Sequence, residues 1–126
     1  MAIRFYKCEV CGNIVCMIED SGNRLTCCGK QMHELRPAST DGALEKHVPV
    51  YECSSDGELH VKIGELPHPM EMIHYIDFVV VETTQGFQLQ KIRNTNTPEA
   101  HFKLNPDENI VNIYIYCNLH GLYSLY

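Results

Sequence analysis

Two short cysteine runs in the first 29 residues, Cys8-Glu9-Val10-Cys11-Gly12 and Cys27-Cys28-Gly29, constrain this chain more than any other feature. A C-x-x-C turn lets two sulfurs face one point, and its closing glycine accepts the positive φ that other residues resist. The vicinal pair with its own glycine adds two more sulfurs. Four thiolates make a tetrahedral S4 site suited to iron or zinc. The bland alternative is a zinc knuckle that only staples a segment too small to fold alone. A vicinal pair must also strain the S–M–S angle, so the tetrahedron is expected to be distorted.

Around these cysteines the segment is strand-like. Strands are expected over 3–7 and 13–19, separated from the second cysteine run by a turn at Asp20-Ser21-Gly22-Asn23. Cys16 shares a strand face with Ile14 and Ile18 and reads as a small buried hydrophobe. His33, beside Met32 and Leu35, reads as structural. Arg36-Pro37-Ala38-Ser39-Thr40-Asp41-Gly42 is turn- and linker-like, which places a domain boundary between 1–37 and 38–126.

The second segment is a series of short strands: 48–53, 59–63 after an Asp56-Gly57 hairpin signal, 74–84, 87–92, 100–104, 111–117 and 122–126. No convincing helical period interrupts them. The fold class is therefore all-β: a small cysteine-rich metal domain, then an immunoglobulin-like antiparallel β-sandwich of about seven strands. Cys53 reads as core. His60 and His101 lie mid-strand on polar positions and read as solvent-facing.

Seven cysteines among 126 residues, an odd number, fit metal binding better than full disulfide pairing. The net charge of −6 argues against nucleic acid, and no basic run suggests an anionic membrane. No apolar run approaches a membrane span, and the start lacks the apolar stretch of a signal peptide, so a cytoplasmic protein is expected. Gly-rich phosphate loops and G-x-S-x-G elbows are absent from the sequence.

The remaining candidate ligands cluster at loops and strand ends. Cys117-Asn118-Leu119-His120-Gly121 joins a soft thiolate and an imidazole three residues apart, a pair for iron, copper or zinc. His47, His68 and His74 add to it, and His68 is stiffened between Pro67 and Pro69.

These stretches carry a resemblance. Glu45-Lys46-His47-Val48-Pro49, His68-Pro69-Met70 with His74-Tyr75-Ile76, and the Cys117–Gly121 run resemble the superoxide reductases. The Cys8, Cys11, Cys27, Cys28 set resembles desulforedoxin, a rubredoxin-like fold. In this order, over nearly the whole chain, they resemble desulfoferrodoxin, the two-iron class of superoxide reductase. That resemblance implies two mononuclear irons. One is an FeS4 centre on Cys8, Cys11, Cys27 and Cys28. The other has His47, His68, His74 and His120 as equatorial ligands and Cys117 as the axial one. It also implies superoxide as substrate, hydrogen peroxide as product, a rubredoxin-like electron donor and a homodimer. Glu45 would bind the resting ferric ion, and Lys46 would supply a local cation for the anionic substrate. Ile115 stands where the family commonly has glutamate, and Phe78 and Tyr123 where it has tryptophan.

Two other functions compete from sequence alone. One is an electron-transfer metalloprotein, iron or blue copper, although no methionine follows Met72 to serve as a late axial copper ligand. The other is a zinc-braced binding module.

Overall fold

A computed structural model describes residues 3–38, 47–64 and 68–126. The chain divides into two units, Met1–Arg36 and Pro37–Tyr126. Twelve strands are described.

In the first unit, β1 (Arg4–Lys7) lies between β2 (Ile14–Met17) and β5 (His33–Leu35), antiparallel to both. A separate hairpin pairs β3 (Thr26–Cys27) with β4 (Lys30–Gln31). Its two-residue turn is Cys28-Gly29, with φ of +53° and +74°. Two positive φ values are the mark of a type I′ turn, whose twist matches the flanking strands. The turn usually opens on asparagine or glycine; here it opens on a cysteine. The hairpin and β5 go beyond what the sequence indicated, because strands of two or three residues carry no alternation to read. Phe5, Cys8 and Met32 are buried, whereas Cys16 is only half-buried. His33 is exposed, opposite Lys7.

The described residues of the second unit form a sandwich of seven antiparallel strands. They are β6 (Pro49–Cys53), β7 (Glu58–Ile63), β8 (Ile76–Thr83), β9 (Gly86–Lys91), β10 (Glu99–Lys103), β11 (Ile110–Cys117) and β12 (Gly121–Ser124). One sheet runs β10-β7-β6 and the other β12-β11-β8-β9. Alternation decides which faces meet. Leu59, Val61 and Ile63 of β7 point inward against Val79 and Val81 of β8 and Ile113 and Ile115 of β11, all at most 1% exposed. The Asp56-Gly57 turn is real. Gly57 has φ +89°, and a Cβ there would lie 2.4 Å from the Leu104 carbonyl oxygen, so only glycine fits.

Three details differ from the sequence reading. Cys53 is exposed rather than core, because β6 is an edge strand and its outer half is flanked on one side only. His60 is half-buried rather than solvent-facing: its ring stacks on His101 at 4.4 Å and its Nε2 lies 2.5 Å from Glu99 Oε1. The third strand begins at Ile76 rather than at His74, which leaves His74 and Tyr75 in a loop.

The topology gathers five strand ends at one pole of the sandwich. Pro49, the start of β6, pairs with Ile63, the end of β7. Cys117, the end of β11, pairs with both Ile76, the start of β8, and Gly121, the start of β12.

Candidate metal centres

The first unit holds Cys8, Cys11, Cys27 and Cys28 with their sulfurs within 4.8 Å of one another. Cys8 follows β1 in a tight turn closed by Gly12 N–H to Cys8 O at 2.9 Å, with Gly12 at φ +82°. Cys27 ends β3 and Cys28 opens the I′ turn, holding a φ of +53° that is uncommon for a residue other than glycine. Cys11 Sγ is 3.6 Å from Cys27 Sγ, and Cys27 Sγ is 3.9 Å from Cys28 Sγ. A tetrahedron with metal–sulfur bonds of about 2.3 Å has edges of about 3.8 Å. These two separations bracket that value. The crowding also polarises the thiols. The backbone N–H of Cys11 pulls Cys8 down to about 6, while contact with the Cys11 and Cys27 side chains pushes Cys28 up to about 12. Four such sulfurs ionise together only around a cation.

The second unit brings His47, His68, His74, Cys117 and His120 together, their donor atoms again within 4.8 Å of one another. His47 precedes β6, His68 follows β7, His74 precedes β8, Cys117 ends β11, and His120 lies in the turn to β12. All five therefore come from the same pole. The rings form a closed circuit of edge-to-face contacts: His47–His68 at 4.7 Å, His68–His74 at 4.7 Å, His74–His120 at 5.0 Å and His120–His47 at 4.8 Å. Four imidazoles thus form a ring of nearly equal sides, with His68 and His120 opposite each other. Cys117 Sγ approaches both of these, 3.4 Å from His68 Nε2 and 3.7 Å from His120 Nδ1. The sulfur therefore lies between two opposite members of the circuit, within reach of the same point as the four rings.

The nitrogen spacings fit one ion. His47 Nε2 is 3.1 Å from His68 Nε2 and 2.9 Å from His120 Nδ1. Metal–nitrogen bonds of about 2.1 Å at right angles put neighbouring nitrogens about 3.0 Å apart. Protonation suits this too. His68 Nδ1 donates to the Pro69 carbonyl at 2.7 Å, so the neutral ring carries its lone pair on Nε2, facing the centre. Burial lowers the His68 pKa to about 4, which keeps that ring neutral. Burial raises Cys117, so the thiol there gives up its proton in exchange for a cation. Cys117 and His47 are 0% and 1% exposed, whereas His120 is exposed.

Glu45 and Lys46 lie outside the described residues. Two neighbours of the centre had no role in the sequence reading. Tyr123 stacks on His47 at 4.4 Å, and Asn118 hydrogen-bonds on either side of His74. A short polar residue between two ligands of a tight turn was the available signal for Asn118. For Tyr123 the sequence mark was its place where the family commonly has tryptophan.

The family model described as Desulfoferrodoxin matches residues 39–125, and the one described as Desulfoferrodoxin, N-terminal domain, matches residues 2–35. A desulfoferrodoxin of Syntrophotalea carbinolica is 41% identical over 122 residues, covering 97% of this chain and 94% of that protein. Among solved structures, the superoxide reductase from Treponema pallidum superposes with a TM-score of 0.83 at 31% identity, covering 98% of this chain and 97% of its own. The superoxide reductase (1Fe-SOR) from Giardia intestinalis gives a TM-score of 0.52 at 27% identity, covering 64% of this chain and 94% of its own.

Proposed function

The chain belongs to the desulfoferrodoxin family, and from that membership we propose that it is a superoxide reductase with two mononuclear irons. The observation that carries the reading is the closed circuit of four imidazoles with Cys117 Sγ beside two of them, all five donors within 4.8 Å of one another. In this proposal His47, His68, His74, His120 and Cys117 would together hold one iron. Cys8, Cys11, Cys27 and Cys28 hold the other ion.

The donor set narrows the chemistry. Zinc fits both sets but has no redox states, so it cannot reduce superoxide. A blue-copper carrier uses two imidazoles, a thiolate and a weak axial ligand. Four imidazoles around one point do not match that, which disfavours the electron-carrier reading. When bound, iron in the five-donor site supplies one electron at a time and a position for a small anion.

The chain's own part is charge and placement. Four neutral imidazoles add no charge and one thiolate cancels a single unit, so the site stays cationic toward an anion. Superoxide gains one electron and two protons and leaves as hydrogen peroxide. Each turnover therefore needs one electron from outside, for which a rubredoxin-like donor is proposed. Four thiolates leave no open position at the first centre, so it relays or stores an electron or braces its unit. Lys46 is proposed as the local cation and Glu45 as the group that meets the oxidised ion. Homodimeric assembly and a cytoplasmic location complete the proposal; no helix of the described residues is long and apolar enough to cross a membrane.

Metal analysis followed by mixing the reduced protein with pulsed superoxide tests this reading. Two irons per chain, and one peroxide per superoxide without dioxygen, are the expected results. Dioxygen in half-molar yield would mean dismutation, and a colourless zinc protein would end the redox reading.

A further inference from the structure

The β8–β11 ladder ends at Ile76 and Cys117, with a register irregularity just before it. Beyond that point the backbone of 73–75 turns away to carry His74, and its peptide groups need other partners. The Asn118 side chain provides them. Its Oδ1 accepts the Tyr75 N–H at 2.8 Å, and its Nδ2 donates to the Ile73 carbonyl at 3.0 Å. The Asn118 N–H also donates to the Tyr75 carbonyl at 3.2 Å. A primary amide has the same acceptor and donor as a peptide group. Asn118 therefore extends the ladder by one rung and grips the chain on both sides of His74.

This grip joins distant parts of the centre. Asn118 follows Cys117 directly and precedes His120 by two residues, so three ligands are tied through one side chain. His74 in turn touches His68 and His120. A ligand on a loop is held no better than the loop, and hydrogen bonds that orient ligands commonly change metal affinity by about 10- to 100-fold when removed.

We propose that Asn118 is the positioning residue of the five-donor centre, a clamp that sets the His74 imidazole against Cys117 and His120. The proposal rests on the reading that these five groups hold one metal ion.

Full-length protein loaded with ferrous iron would be compared with Asn118→Ala, Asn118→Leu and Asn118→Asp. The readouts are iron release from the five-donor centre to a chelator, the thiolate-to-iron absorption band, and hydrogen exchange at the Tyr75 amide. Ala and Leu should release iron at least about tenfold faster, shift the band, and expose the Tyr75 amide to exchange. Asp keeps the acceptor for Tyr75 but loses the donor to Ile73, so its Tyr75 protection should stay near that of the parent while release is intermediate. Asn112→Ala is the control: Asn112 lies on β11, the strand that Asn118 follows, and its Oδ1 also accepts backbone N–H groups, from Ile113 at 2.9 Å and Tyr126 at 3.2 Å. It should lower the melting temperature without changing iron release. Parent-like release and band in Asn118→Leu, or a release in Asn112→Ala as fast as in Asn118→Ala, would overturn the clamp. If Asn118→Ala and Asn118→Leu fail to fold, parent-like release and band in Asn118→Asp would overturn it as well. Failure of the parent itself to take up iron at the five-donor site would instead sink the metal reading, and Tyr75 exchange in the apoprotein would still decide whether Asn118 grips the loop.

Discussion

Tyr123 lies flat against His47, ring centroids 4.4 Å apart and planes 11° from parallel. Tyr123 is a core residue, 4% exposed, facing inward on β12 opposite Ile115. One ring therefore serves the packing of the sandwich and the back of a candidate ligand. Tyr123→Ala should cost about 3–5 kcal/mol of stability, as aromatic truncation in a core does. Tyr123→Phe keeps the stacked face and should cost far less. Denaturant unfolding of the two variants checks this; equal losses would show that the stacked ring contributes nothing beyond its hydroxyl.

The first unit should depend on its metal far more than the second. Its buried apolar side chains among the described residues are Phe5, Cys8 and Met32, one of them a candidate ligand. So small a core does not offset the chain entropy of some 36 residues, whereas metal binding to four thiolates contributes about 10 kcal/mol or more to folding. Strong chelation should abolish amide protection in β1 and β2 while β8 and β11 stay protected. Hydrogen exchange before and after chelation reads this directly, and retained protection in β1 would refute it.

Acid should loosen the loop between β10 and β11 through Glu108. Its carboxylate contacts Thr83 Oγ1 and accepts the Asn105 N–H at 3.0 Å. These bonds, the Thr83 hydroxyl first, hold its pKa below the ordinary 4.5. A depressed carboxylate contributes stability that is present above the ordinary value and lost as pH falls through the folded one. Stability should therefore decline from about pH 4.5 downward, and Glu108→Gln should show a shallower acid slope in pH-dependent melts. Identical slopes would remove Glu108 from the acid response.

What the sequence made readable follows from periodicity and ligand spacing. Leu59, Val61 and Ile63 alternate with His60 and Lys62, which fixed that strand and its inward face. The C-x-x-C and C-C runs announced four sulfurs because ligand identity and turn residues are local properties. Relations between distant segments were less legible. Cys53 looks like core until its strand is known to lie at a sheet edge. His60 looks solvated until Glu99 and His101 arrive from β10 beside it. His74 and Tyr75 have strand-forming neighbours, but the Asn118 amide, some 43 residues away, takes the bonds a strand would have made.

Lys46 is the last residue whose role can be decided by a rate. The chain carries a net charge of −6 and the proposed substrate is an anion, so the overall field opposes encounter. Screening at physiological salt has a length of about 8 Å, so distant carboxylates count little and a cation beside the site counts most. Lys46 is adjacent in sequence to the candidate ligand His47. Lys46→Ala should slow superoxide capture by about tenfold and flatten its dependence on ionic strength, since local steering is the part that salt removes. Lys46→Arg keeps the charge and should restore most of the rate. Pulse-radiolysis rates at two salt concentrations make the comparison: with steering, the parent slows as salt rises and the alanine variant does not. Parallel salt dependences would assign the capture of the anion to the cationic centre alone.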